Sequence, residues 1–210
     1  MKKVNGWFLP DDDIYFDTHI LPAEGWQVNR LAQFLTFFKG RSLAIDGGAH
    51  IGTWSAYLAQ EFQNVLAFEP SVTTQEAFKA NMYERKISNV TLRPEVLWHK
   101  DNELVDITIE TNTGSNYVAV GKGTKQTLRL DSLSFVALDL IKLDLEGSEI
   151  PALIGAKRLV EEHSPAIIVE NKPRHSVRQG FWPALMPQTL KGYGYTLAHK
   201  IGDDELWMKK

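Results

Sequence analysis

Short runs of consecutive apolar residues recur along this chain, each followed by a longer stretch with apolar positions at helical spacing. Residues 43–45 and 65–68 are two such runs, 90–97 contain a third, and 138–143 and 166–169 supply two more. A strand apolar at every position leaves no face for water, so it belongs in a sheet covered on both sides. The segments between read as helices. Val28, Leu31, Ala32, Leu35 and Phe38 recur over about 25–39, ahead of Gly40, and Trp54, Tyr57, Leu58 and Phe62 share a face. Thr73 and Glu76 have capping-box spacing and open a helix to about Arg85. Ser148 caps another running to about His163, with Pro151 in its first turn, and a last helix lies within 180–190. The pattern predicts an α/β fold with a mostly parallel sheet and helices on both faces.

Two regions depart from this rhythm. The first 24 residues are turn-rich and read as irregular, so that 1–40 form an N-terminal extension and helix. Residues 99–126 are polar and read as an inserted hairpin of 105–109 and 117–120, a candidate substrate lid. Residues 195–200 and 205–209 read as a closing hairpin that adds an antiparallel strand. One domain spanning residues 1–210 accommodates all of this.

A formal net charge of -3 argues against a nucleic-acid partner, because neutralising phosphates needs a basic face. The absence of cysteine excludes disulfides, thiolate metal sites and a cysteine nucleophile. No apolar run follows Lys2 and Lys3, and none approaches the roughly 20 residues of a membrane span. A soluble cytoplasmic protein with no membrane association is the expectation.

In parallel sheets ligands collect at the carboxyl ends of the strands. The first strand runs into Asp46, Gly47, Gly48, Ala49, His50, Ile51 and Gly52, then a helix. Glycines allow a sharp turn and close approach of a ligand, and the helix start offers free amides. An acid leading the turn disfavours a pyrophosphate and suits a ligand with an ammonium group. His50 reads as a packing or capping residue. The second strand ends at Glu69 and Pro70, about 20 residues on, where a carboxylate can accept both hydrogen bonds of a ribose diol. Trp98, at the end of the third strand with Val96 and Leu97, is placed to pack on a base.

Residues 44–59 (AIDGGAHIGTWSAYLA), 66–71 (LAFEPS) and 140–156 (LIKLDLEGSEIPALIGA) together resemble the FkbM-type family of S-adenosylmethionine (SAM)-dependent methyltransferases, within the Rossmann-like methyltransferase superfamily. The Asp-x-Glu-Gly-x-Glu run from Asp144 to Glu149 is the most family-specific piece. The resemblance implies a seven-stranded sheet, SAM as cofactor, and an oxygen acceptor on a sugar, polyketide or similar small molecule. Asp46, Gly48 and Gly52 would then line the methionine end of SAM and Glu69 would hold its ribose. Gly47, Ala49, Pro70, Val96, Leu97, Trp98 and Asp144 complete the expected cofactor wall.

Three acids near the expected methyl, Asp144, Glu146 and Glu170, are candidates for the base that deprotonates an acceptor hydroxyl, with Asp144 preferred. Glu149 fits better as a helix-dipole partner. Asp144, Glu170 and Asn171 also form an oxygen-ligand set that suits magnesium or calcium. Lys172, Arg174, His175 and Arg178 follow on what reads as a loop, placed to hold a phosphate or carboxylate of the acceptor. The expected activity is O-methylation of a small molecule or glycan. A nucleic-acid methyltransferase and a catalytically silent SAM-binding regulatory module are the alternatives. The first is disfavoured by charge and by Asp144-Leu145-Glu146-Gly147 standing where an Asn/Asp-Pro-Pro-aromatic run would be, the second by the retained acids.

Overall fold

The computed structural model describes residues 1–119 and 123–209. The chain opens with an antiparallel hairpin, β1 (Lys2–Val4) and β2 (Trp7–Leu9), followed by α1 (Tyr15–Thr18) and α2 (Val28–Leu35). The N-terminal segment is therefore ordered rather than irregular. Trp7, Leu9, Phe16 and Leu21 are all buried there, among Ala49, Ile51 and Phe78. Helix α2 is shorter than its periodicity suggested, because Gly25 and Gln27 adopt left-handed backbone angles (φ 117° and 56°) just before it. Next come β3 (Leu43–Gly47), α3 (Thr53–Glu61), β4 (Asn64–Phe68), α4 (Val72–Glu84) and β5 (Val90–Arg93). Helix α4 starts after Ser71, two residues earlier than the capping-box reading placed it.

The insert is larger than a hairpin. It comprises β6 (Val96–Leu97), β7 (Leu104–Thr108), β8 (Tyr117–Ala119) and β9 (Lys125–Leu128), a second sheet of order β6-β9-β7-β8. The expected pairing of residues 105–109 with 117–120 is present as β7–β8; Val120 lies outside the described residues. The run 90–97 divides at Pro94, which has no amide to donate to a ladder. Its second half leaves the main sheet and pairs with β9.

The alternation then resumes with β10 (Leu140–Leu143), α5 (Glu149–Ile154), α6 (Lys157–His163), β11 (Ala166–Glu170), α7 (Pro173–Arg178), α8 (Leu185–Gly192), β12 (Tyr195–Ile201) and β13 (Asp204–Lys209). One expected helix over 148–163 is two. A Cβ on Gly155 would meet the Trp98 carbonyl oxygen at 2.0 Å, so the insert presses on the break. The second helix is capped afresh by Asp131, which accepts from Arg158 N and Leu159 N at 3.0 Å each. Ser148 makes no side-chain cap bond, and residues 173–178, expected as loop, are helical.

The main sheet has the order β12-β13-β11-β10-β3-β4-β5. Strands β11, β10, β3, β4 and β5 pair in parallel, and β13 is antiparallel to β11 and to β12. This is the seven-stranded, mostly parallel, Rossmann-like arrangement expected. Every residue of β10 is buried, as a strand covered on both faces requires. Chain order reverses between β3 and β10, so the crevice for a ligand lies at their carboxyl ends. No helix among the described residues is long and apolar enough to cross a membrane.

Candidate active site

The turn after β3 is shaped as much by the protein as by any ligand. Gly48 has φ 73°, and a Cβ there would fall 1.8 Å from the Asp144 carbonyl oxygen, a backbone atom that cannot step aside. Gly48 N and Ala49 N both donate to Phe68 O at 3.0 Å. His50, with φ 51°, donates its amide to Glu69 Oε2 at 3.0 Å, and Ser71 N donates to Glu69 Oε1 at 2.9 Å. Each Glu69 oxygen keeps a further lone pair, and Glu69 lines the cavity. Burial pushes the Glu69 carboxyl up to about 7, against the pull of those two amides.

Register decides the fate of Asp46. In the β3–β10 ladder Asp46 stands opposite Lys142. Asp46 is 0% exposed; its Oδ1 lies 2.9 Å from Lys142 Nζ, and its Oδ2 accepts from Ser55 Oγ at 2.6 Å. Lys142 Nζ also donates to Gly47 O and Gly48 O at 3.1 and 2.9 Å. Burial alone would lower the Lys142 ammonium, yet the Asp46 and Asp144 carboxylates hold it above the ordinary lysine value. Asp46 therefore does not face a ligand ammonium. Lys142 lines the cavity in its place and pins the turn. A lone lysine within an apolar strand is the sequence signal for this role.

Of the expected cofactor residues, Gly48, Ala49, Glu69, Pro70, Val96, Leu97 and Asp144 line one cavity. Gly47 and Gly52 do not. A Cβ on Gly47 would crowd Leu97 and Leu143, and one on Gly52 would meet Met82 and Phe78 at 2.7 and 2.8 Å, so both glycines serve packing. Trp98 is turned into the insert's own core with Val96, Val105 and Val118, a consequence of the departure at Pro94.

The cavity roof comes from regions that carried no motif. Tyr15, Phe16, Trp26 and residues 112–116 of the insert all line it. Asp13, fully buried, accepts from the Thr113 hydroxyl, and Thr113 Oγ1 lies 2.7 Å from His50 Nε2. Burial pushes the His50 imidazole down to about 4, against the nearby Asp13 and Asp144 charges. N-terminal segment, insert and glycine turn are thus joined above the cavity.

At the ends of β10 and β11, Glu146 and Glu149 are buried and Asp144 and Glu170 are half-buried. Glu149 is a structural bracket: its carboxylate accepts from Leu145 N at 2.7 Å and from Gly147 N at 3.1 Å. Glu146 is 6% exposed, with Oε2 2.7 Å from His175 Nδ1. Burial, then the Asp144 charge, pushes the Glu146 carboxyl up to about 7. The same two causes raise Glu170, against Lys172, whose Nζ lies 2.6 Å from Glu170 Oε1.

The acids that converge at these strand ends are not the expected cation set of Asp144, Glu170 and Asn171. Asn171 Nδ2 donates to Glu205 Oε1 at 3.1 Å, which ties that side chain to β13 through its nitrogen. Glu146, Glu170 and His175 do bring ligand atoms within 4.8 Å of one another. Lys172 already supplies the positive charge there, 3.9 Å from Glu146 Oε1. Arg174 Nε donates to His175 Nε2 at 3.2 Å, which leaves the proton of the neutral ring on Nδ1, the atom a metal would need free. Beside these acids runs a polar groove lined by Glu110, Thr111, Arg174, His175 and Arg178. Asn112, Ser115 and Glu146 border both the groove and the cavity.

The model of the methyltransferase FkbM domain matches residues 46–197. Among solved structures, the FkbM methyltransferase of Methylobacillus flagellatus KT is similar, with a TM-score of 0.55 and 20% identity over 80% of this chain. That match spans 43% of the Methylobacillus chain, so this protein covers less than half of it. The precorrin 8w decarboxylase of Methanobacterium thermoautotrophicum has a TM-score of 0.58 at 12% identity, covering 100% of both chains. The magnesium protoporphyrin IX methyltransferase of Synechocystis PCC 6803 with bound SAH has 0.53 at 13% identity, over 88% of this chain and 82% of its own. No curated protein matches the sequence significantly. At such identities the solved structures show the shared fold, whereas the family model covers most of the sheet and every acid at the strand ends: this chain belongs to the FkbM methyltransferase family.

Proposed function

We propose that this protein binds SAM in the cavity and methylates a hydroxyl oxygen of a small polyhydroxylated acceptor, a sugar or glycan, seated in the polar groove. The observation that carries this reading is the position of Glu146. It is a buried carboxylate at the junction of the two spaces, where a methyl donor and an acceptor would meet. When bound, SAM supplies an electrophilic methyl on sulfur. An alcohol is a poor nucleophile until its proton leaves, and a carboxylate near neutral pKa is suited to take it. Glu146 receives the hydroxyl proton as the acceptor oxygen takes the methyl. Asp144, lining the cavity but not the groove, supplies the negative charge that keeps Glu146 basic. The groove wall consists of polar and charged side chains of both signs, a surface matched to hydroxyl groups rather than to an apolar chain.

Glu69 is assigned to the ribose, with Pro70, Val96 and Leu97 beside the base. Glu69→Ala is expected to weaken SAM binding by about 1.5–3 kcal/mol, the range for hydrogen bonds to a charged group. Calorimetry showing parental affinity would remove Glu69 from the site. The scheme routes no step through magnesium, so a chelator is expected to leave turnover unchanged. Incubation with SAM and separate panels of glycosides, polyketides and RNA, followed by SAH release and the mass gain of one methyl, tests the acceptor class. Methylation confined to RNA would overturn it.

A further inference from the structure

We propose that Arg178 is a positioning residue for methyl transfer, tying the orientation of Glu146 to the docking of the insert over the acceptor groove. The inference rests on the reading of Glu146 as the base. Arg178 Nη2 donates to the Glu146 carbonyl oxygen at 2.7 Å, and the same guanidinium lies 3.6 Å from the ring centroid of Tyr117 on β8. One side chain thus holds the catalytic turn from one side and the insert from the other. It also lines the groove, so the anchor that its place in the sequence suggested carries these two ties as well.

The turn needs a holder. Glu146 has φ 54°, a left-handed conformation that a non-glycine residue keeps only when its surroundings impose it. Gly147 follows at φ 111°, and a Cβ there would fall 2.5 Å from the His175 carbonyl oxygen, so the turn is wedged against α7. A second tie joins α7 to the insert: Gln179, just past the helix, donates Nε2 to Val118 O at 2.7 Å. The insert supplies Asn112 and Ser115 to both cavity and groove. An acceptor in the groove therefore touches the insert on one wall and α7 on the other, and Arg178 links the two to Glu146.

The charged groups facing Glu146 are Asp144 and Glu149 on its own turn, Glu170 and Lys172 at the end of β11, and His175 and Arg178 on α7. Burial and the Coulombic effects of Lys172, Arg178 and Arg174 push His175 down to about 4, so it stays neutral across the assay range. Lys172 and Arg178 both pull the Glu146 carboxyl down. Loss of Arg178 must then raise it.

The test is a titration of glutamate carboxyl carbons by NMR on the full chain, with the Glu146 signal assigned by its loss in Glu146→Gln. Arg178→Met is expected to raise the Glu146 midpoint by about 1 pH unit, the low end of the range for an opposite charge nearby, since Arg178 is the weakest of the groups acting on it. Tyr117→Leu should move it the same way, because the guanidinium loses its platform. Tyr117→Phe, which keeps the ring face, should leave it at the parental value. The Arg178→Met/Tyr117→Leu double variant should shift no further than Arg178→Met alone, as coupled residues do. A merely structural role would lower melting temperature in all variants without this ordering. The inference is overturned if Tyr117→Leu leaves the midpoint unmoved while remaining folded, or if Arg178→Met does. If the ordering holds but Glu146→Gln turns over at the parental rate, the base assignment fails and the coupling stands.

Discussion

Lys142→Met is expected to destabilise the protein by about 3–5 kcal/mol, the cost of removing one partner of a buried ion pair. The substitution keeps an unbranched side chain, one atom shorter, and removes its charge and three donors. Asp46 would remain at 0% exposure with only the Ser55 hydroxyl to stabilise its charge, and the Gly47 and Gly48 carbonyls would lose their shared donor. Because those carbonyls belong to the turn that walls the cavity, SAM affinity should fall as well. The double variant Asp46→Leu/Lys142→Met should recover much of the stability, since replacing both members of a buried pair by apolar groups is often neutral. It should not recover SAM affinity if the ammonium is what shapes the turn. Urea denaturation and calorimetry check the two halves. A Lys142→Met protein as stable as its parent would show that the pair does not hold β3 to β10.

Glu146→Gln is expected to lower turnover by about 10²–10⁴-fold with SAM affinity near parental, the range for loss of a general base. The parental kcat should rise with pH through about 7, the value to which burial and Asp144 push the Glu146 carboxyl, because the base acts only when deprotonated. That limb should vanish in Glu146→Gln. Asp144→Asn has a different signature. Removing the Asp144 charge relieves the repulsion on Glu146, so the limb should persist and move to lower pH. An inactive Asp144→Asn beside a fully active Glu146→Gln would exchange the two roles. Measuring kcat against pH for both variants at saturating SAM separates these outcomes.

Much of the site was legible because its placement is local. Gly48 and Glu69 each directly follow a strand, and in a parallel sheet every such position falls on one edge. The helical and strand periods were legible for the same reason, since each reflects which face a segment buries against its neighbours. Residues whose roles depend on distant partners are not legible in this way. Trp98 looks like the end of a strand in the main sheet until Pro94 sends it into the insert, where the Val105 and Val118 side chains enclose it. Asn171 carries a bond to Glu205 on the antiparallel β13 that nothing near it in the chain announces.

By itself the sequence determined the class of fold, the glycine turn with its matching acid, and the family, because continuous apolar runs can be satisfied only by cover on both faces and the motif residues sit at strand ends wherever the strands lie. Only the tertiary structure decided the charges. The register of β3 against β10 placed Lys142 on Asp46, which turned an expected ligand-facing acid into one half of a buried pair. The docking of α7 between the Glu146 turn and β8 made an arginine expected at the acceptor also a tie between two walls. A carboxylate or guanidinium takes its function from what lies within a few ångströms of it, and those neighbours come from strands and loops far apart in the chain.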